Sequence, residues 1–595
     1  MTDTTSTPIA KTVASLPGSA AERFASNIAA RHREGDRWKE VSYAEAGQQI
    51  DELALGLVEL GVEPGDRVCI LANTRLEWTL ASYAISAAGA VIVPVYPTNS
   101  PHECKWVAGD SGARAIVCED EGQRQKIDQI RDELTDLEHV IGIEPGAGDM
   151  TLDELRERGG GGEGSELSSR QDKVERDDAW IIIYTSGTTG PPKGVVLTHA
   201  NAMQVCHIVE ELEFVKPDET TYLYLPLAHI FALLTQLASY DQGTTIVYFG
   251  GDSKKILEEV VETRPTYLPS VPRIFEKLYG AATKMQENAS EEDKQRFQGA
   301  IKLGVEVRRR QQRGEPVPEE MQAQFDQADE QIFAKVRQLF GGQVRQAVSG
   351  AAPIAPEILE FFYAAGIPVM EGWGMTETTG VGTVGTLDDF KFGTVGRSLP
   401  GVEIQISDED GEILMRGPNV FREYWGNPEA TADTLIDGWL HTGDLGELDD
   451  EGFLKITGRK KDIIITAGGK NLTPANLEND LKQSPFISQA VMYGDRKPYP
   501  VALITLDPEE MLPWAKENGL PEDLGALAEA EQVQEMVQKE LDRANSNYAQ
   551  VEQIKKFRIL DHDLAIDSGE LTPTLKVKRN VVYDRYGDVF ESMYG

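Results

Sequence analysis

Between Thr185 and Gly194 the chain reads TSGTTGPPKG, a stretch in which hydroxyls, glycines and one lysine fall at the spacing of an anion cradle. Gly187, Gly190 and Gly194 let backbone N–H groups approach a phosphate closely, while Ser186, Thr188 and Thr189 add side-chain donors. Lys193 supplies positive charge. The GxxxxGK[ST] nucleotide loop fits poorly, because Lys193 is followed by Gly194 and no hydroxyl is left for a magnesium ion. A Gly- and Thr-rich segment after the apolar run Trp180–Tyr184 also reads as an ordinary turn. The rest of the chain decides between these readings.

Further along stand Leu225-Pro226-Leu227-Ala228-His229, then Ser349-Gly350-Ala351-Ala352-Pro353, then Glu371-Gly372-Trp373-Gly374-Met375-Thr376-Glu377-Thr378. They are followed by His441-Thr442-Gly443-Asp444, Gly458-Arg459-Lys460-Lys461-Asp462, Ala467-Gly468-Gly469-Lys470-Asn471 and Leu571-Thr572-Pro573-Thr574-Leu575-Lys576. In this order, and with TSGTTGPPKG running into VVLTHAN, the motifs resemble the signature of the adenylate-forming superfamily, most closely its long-chain fatty-acid–CoA ligases. The resemblance runs from about Ala21 to Val589.

It implies a two-step reaction with ATP, Mg2+, a fatty acid and CoA: acyl-AMP forms with loss of pyrophosphate, and the CoA thiol then displaces AMP. It also implies roles for individual residues. Thr185, Ser186, Gly187, Thr188, Thr189, Gly190 and Lys193 would hold the pyrophosphate end of ATP. Gly350, Gly372, Trp373 and Gly374 would form the adenine slot, although relatives usually carry Tyr where this chain has Trp373. Thr376 would donate to the α-phosphate, and Glu377 offers the hard oxygen that suits magnesium. Asp444 can accept from two neighbouring ribose hydroxyls, and Arg459 adds donors. Lys576 aligns with the catalytic lysine; Leu575 stands where many relatives have Gly. His229, with Gly350, would lie beside the acyl group without acid–base work. Lys461 would be the hinge, and Gly468, Gly469 and Lys470 the loop used when the thiol enters. The segment Phe421-Arg422-Glu423-Tyr424-Trp425 lacks the Gly that often precedes the family's aromatic pair.

The resemblance also implies an α/β fold: a large N-terminal domain of sheets flanked by helices (residues 1–460) and a small mobile α+β C-terminal domain (461–595). Alternating signals support it, with a strand at Arg67–Leu71, a helix at Thr79–Ala88 and a strand at Ala90–Tyr96. A flexible surface loop is expected at Gly159–Gly164. A helix from His199 to Leu212 would aim its N-terminal dipole at the anion if it starts near the loop. Residues 281–340, charged and Gln-rich, read as a helical insertion facing solvent with few apolar anchors. Gly250-Gly251-Asp252-Ser253 mimics a phosphopantetheine attachment site, yet Asp and Ser at the start of a helical stretch are ordinary caps.

Composition narrows the partners. The 595 residues include 58 Lys+Arg and 98 Asp+Glu, a net charge of −40. Phosphate backbones and anionic lipid surfaces would be repelled, so no nucleic acid and at most peripheral membrane contact are expected. Such charge points to a salt-rich cytoplasm that screens it. Cys69, Cys104, Cys118 and Cys206 have neither metal-site spacing nor the density of a disulfide framework. The N-terminus shows no secretory signal, and no run of about 18 apolar residues occurs. The alternatives are an acyl-AMP ligase delivering to a carrier protein, a ligase for another carboxylic acid, and a non-catalytic nucleotide-binding relative.

Overall fold

The computed structural model describes residues 10–162, 164–185, 191–287, 290–467, 470–572 and 575–594. Apolar runs too short for helices form parallel strands covered on both faces. Arg67–Leu71, Val91–Val95 and Ala113–Cys118 pair in parallel within an eight-stranded sheet, and the helix Leu76–Ala87 between the first two is buried along almost its whole length. The helix and the second strand lie within a few residues of their sequence-based bounds. The expected strand at Arg67–Leu71 is present as read.

That sheet turns antiparallel at Ala179–Thr185 and Lys193–Thr198, the two arms that carry TSGTTGPPKG, with Thr185 opposite Lys193. Its edge strand, Glu423–Tyr424, comes from more than 200 residues downstream and sets Tyr424 against Val195. A second, nine-stranded sheet runs Tyr267–Ser270, Gln346–Ser349 and Val369–Trp373 side by side in parallel. Gly350 and Trp373 therefore lie at the carboxyl ends of adjacent strands, where open α/β sheets receive ligands. A five-stranded antiparallel sheet places Asp444 directly opposite Arg459.

From Ile464 onward the chain builds cores of its own. A three-stranded sheet, Ile487–Tyr493, Val501–Leu506 and Lys556–Ile559, packs with helices through Leu477, Leu481, Ile504, Met511 and Leu541. The result is a large sheet domain followed by a smaller α+β one.

Three expectations change. The helix after the loop spans His199–Glu211, but the strand Lys193–Thr198 lies between it and the loop. Its start is capped at the far end of the hairpin by Thr198 and Asn201, so its dipole does not bear on the anion. Gly159 is no free loop residue. It ends the helix Leu152–Gly159 against Tyr43–Glu59, where a Cβ would lie 1.8 Å from the Glu52 carbonyl oxygen. The insertion is helical, with Glu291–Gln312 and Glu319–Ala328 leading into a π turn at Asp329–Phe333. It is better anchored than its charge implies, because Phe297, Ile301 and Val305, at helical spacing, join Phe325, Phe333, Phe340, Phe361 and Phe362 in one core. Asp252 caps Ser253–Lys255 by accepting from the Lys254 N–H, as the capping reading requires.

Candidate active site

The hairpin arms flank the segment expected to hold phosphate. Residues 186–190 lie outside the described ones, but Thr185 and Lys193 close the hairpin across from each other. The Lys193 ammonium sits 5.0 Å from the ring centroid of Tyr424. On the other side, the Tyr424 hydroxyl donates to Glu377 Oε1 at 2.8 Å. The short turn Thr376–Thr378, following the strand that ends at Trp373, holds Glu377 in place, and the Phe421 N–H binds the Glu377 carbonyl at 2.8 Å.

Burial pushes the Glu377 carboxyl up, while Tyr424, Arg459 and Lys461 pull it back. It has no ion-pair partner among the described residues. A buried carboxylate left without a cation fits a magnesium ion, and no cluster of three His, Cys, Asp or Glu side chains occurs among the described residues. A single carboxylate that shares the ion with substrate phosphates is the ordinary magnesium arrangement, and the ion would neutralise phosphate charge.

At the expected nucleoside end, contact requires glycine at 374 and crowds Gly350. A Cβ on Gly374 would lie 2.5 Å from the Gly380 carbonyl oxygen, and one on Gly350 would meet the Phe231 ring at 3.2 Å. Trp373 is 9% exposed, and its indole N–H donates to Asp444 Oδ2 at 2.8 Å. Arg459 Nε donates to the other oxygen, Oδ1, at 2.7 Å. His229 caps the helix Ile230–Gln242 by accepting from the Phe231 N–H at 3.2 Å. Burial, then the charge of Lys576, push its pKa down to about 3, which favours the neutral ring near pH 7.

Lys576 arrives from the small domain on a tight turn. The Thr572 N–H binds the Lys576 carbonyl at 2.7 Å, the Lys576 N–H binds Thr572 Oγ1 at 3.0 Å, and Leu571 bridges to Val577. Leu575 takes φ 60°, a left-handed conformation that favours Gly, with its side chain half in solvent. The base of the turn is fixed by Arg585 on Glu570 at 2.8 Å and Arg579 on Glu478 at 2.7 Å. Lys576 is open to solvent on one side, yet protein crowds it on the others. That crowding, reinforced by Arg459 and opposed by Asp444, lowers its pKa to about 8.

The two domains are fastened by ion pairs from the helix Pro272–Glu287 to the start of Pro508–Glu517, namely Arg273 with Asp507 and Lys277 with Glu509. Lys461 lies in the short turn Lys460–Asp462 that joins the two domains, within electrostatic reach of Asp444 and Glu377. Lys470 pairs with Glu552 at 3.1 Å, whereas Gly468 and Gly469 lie outside the described residues.

Seven non-glycine residues have positive φ among the described ones; of these, Ala351 and Leu575 lie within site motifs and Thr379 directly follows one. Two contributors escaped sequence reasoning. Tyr424 stood within a segment noted for its missing Gly, but its place beside Glu377 depends on strand pairing across more than 200 residues. Phe231, two residues after His229, had no polar signal at all.

Known proteins match along most of the chain. The AMP-binding enzyme family matches residues 19–425, and the AMP-binding enzyme C-terminal domain matches 461–595. The long-chain-fatty-acid–CoA ligase FadD15 of Mycobacterium bovis is 40% identical over 94% of this chain and 92% of its own. The adenylation domain of a carboxylate reductase from Mycobacterium chelonae superimposes with a TM-score of 0.77 at 20% identity, covering 98% of this chain and 91% of that one. The anthranilate CoA ligase AuaEII, solved with anthranoyl-AMP, gives 0.72 at 19% identity over 97% and 98%. With both family regions matched and a relative of 40% identity spanning nearly its full length, this chain belongs to the AMP-binding, adenylate-forming enzyme family.

Proposed function

We infer that this enzyme is a long-chain fatty-acid–CoA ligase. In the first step a fatty-acid carboxylate oxygen attacks the α-phosphorus of ATP, the bond to the bridging oxygen breaks, and pyrophosphate leaves. In the second the CoA sulfur attacks the acyl carbon of the mixed anhydride, AMP departs, and the thiol proton passes to solvent. Positioning and charge stabilisation do the work, as in other transfers at phosphorus.

The observation that carries this reading is the 40% identity to a long-chain-fatty-acid–CoA ligase along nearly the whole of both chains. The electrostatic proximity of Lys576 to Asp444, Arg459 and His229 supports it. In this scheme Lys576 neutralises charge growing at the α-phosphate, with Thr376 adding a hydrogen bond. Lys193 and the loop hydroxyls retain pyrophosphate, Asp444 takes the ribose, and Trp373 with Gly350, Gly372 and Gly374 lines the base. His229 and Gly350 flank the acyl group. Rotation at Lys461 withdraws Lys576 and brings Gly468, Gly469 and Lys470 to the thiol path, with the domain boundary at 460/461.

A reducing cytoplasm suits the reading, since all four cysteines are free and buried. No helix among the described residues is long and apolar enough to cross a membrane.

The test is AMP formation over a panel of acids, each with and without CoA. Acids of about 12 to 18 carbons should outperform acetate, each buried CH₂ being worth about 0.8 kcal/mol. Preference for acetate or an aryl acid refutes the substrate class. Acyl-AMP accumulation with no turnover on CoA favours a carrier-protein acceptor instead.

A further inference from the structure

Asp444 is held from two sides by donors of different origin. Arg459 belongs to the neighbouring strand and stands two residues before Lys461. Trp373 comes from the other large sheet, 71 residues away in sequence, and does not depend on the joint between the domains.

The chain does not always satisfy an indole: the buried N–H groups of Trp38, Trp78 and Trp180 find no acceptor among the described residues. Those of Trp106 and Trp425 go to backbone carbonyls. Trp373 instead meets an Asp side chain at 2.8 Å, with both residues almost fully buried. A bond between a neutral donor and a charged acceptor is of the stronger class. Indole is a donor and never an acceptor, so it can only bind the carboxylate and cannot compete with it for ribose hydroxyls. A carboxylate has about four acceptor positions. Trp373 and Arg459 occupy one on each oxygen, which leaves one on each for two adjacent hydroxyls.

We propose that Trp373 is a positioning residue for the sugar: its indole N–H holds Asp444 in the ribose-reading orientation through both half-reactions, including the one in which Arg459 is exposed to domain movement. This rests on the ligase reading above. AMP must stay bound by its ribose until the thioester has formed, so a tether on the static sheet serves the second step as well as the first. A ring that only walled the base would be indifferent to the sugar.

The experiment compares ATP with 2′-deoxy-ATP and 3′-deoxy-ATP in pyrophosphate release. It also compares acyl-AMP with its 2′-deoxy analogue in thioester formation. Trp373→Phe keeps a flat apolar ring and deletes the donor. A second variant, with benzothienylalanine at position 373, replaces N–H by sulfur in a near-isosteric ring and so guards against loss of fold.

In both variants the preference of kcat/KM for the ribonucleotide should fall about tenfold, the scale of one hydrogen bond to a charged group. It should fall in both half-reactions, toward the ratio given by Asp444→Asn. Calorimetric binding of AMP against 2′-deoxy-AMP should lose the same discrimination. If both variants keep the wild-type ratio while KM rises equally for all nucleotides, Trp373 is a wall alone and the proposal falls. It also falls if discrimination is lost in the first half-reaction and kept in the second. A wild-type enzyme with no acid-dependent pyrophosphate release would overturn the ligase reading itself, an outcome distinct from both.

Discussion

With a pKa of about 8, Lys576 titrates within the range where the enzyme can be assayed. Its working form is the ammonium, which is lost as pH rises, so adenylation should decline on the alkaline side. The charged fraction is about 0.9 at pH 7 and about 0.1 at pH 9, a drop of roughly tenfold. The quantity to follow is kcat/KM for ATP, because it reports the free enzyme. Pyrophosphate release in the first turnover, without CoA, keeps the titration of the CoA thiol out of the measurement. Bound ATP adds negative charge beside the amine and raises its pKa, so kcat should show the same limb displaced to higher pH. Lys576→Arg carries a charge that persists past about pH 12 and should flatten the limb, whatever it costs in absolute rate. A wild-type profile flat from pH 7 to 9.5, or a limb unchanged in Lys576→Arg, would refute the assignment.

Three further outcomes follow from the same geometry. Lys576→Ala should lose nearly all acyl-AMP formation while converting supplied acyl-AMP and CoA at close to the wild-type rate; equal losses in both assays contradict a first-step role. Proline at Lys461 fixes φ near −65°. Lys461→Pro should therefore retain much of the adenylation and lose most thioester formation, with Lys461→Ala mild, and a proportional fall in both half-reactions would mean misfolding instead. Leu575→Val places a β-branched residue at φ 60°, a cost of about 1 kcal/mol to the turn that presents Lys576. Adenylation should fall about fivefold with the supplied-intermediate reaction intact, whereas Leu575→Gly should not fall.

Much of the candidate site was legible because its motifs are local: Lys193, Glu377, Asp444, Arg459 and Lys576 each sit in a short string whose proposed chemistry can be read in place. The strand at Arg67–Leu71 and the helix from His199 were legible for the same reason. What failed was orientation and pairing. The helix from His199 was expected to point at the loop, but an intervening antiparallel strand carries its start to the other end of the hairpin. Tyr424 reaches Glu377, and Trp373 reaches Asp444, through contacts between sheets that no local pattern encodes. In the insertion the charges drew attention away from Phe297, Ile301 and Val305, whose spacing of four already marked a buried helix face.

The pairs Arg273–Asp507 and Lys277–Glu509 fasten the bodies that the proposed rotation must part. Both bodies carry more acid than base, so away from this fastening they repel one another. Dissolved salt weakens repulsion and fastening alike, but unequally. Asp507 is buried and keeps much of its attraction, whereas the exposed Glu509 is screened along with the surface at large. Under the proposed rotation, ionic strength would bias which half of the cycle the resting enzyme is poised for. Rate constants measured in different buffers would then describe different mixtures of the same two postures, and a salt optimum for turnover need not coincide with the salt optimum for stability.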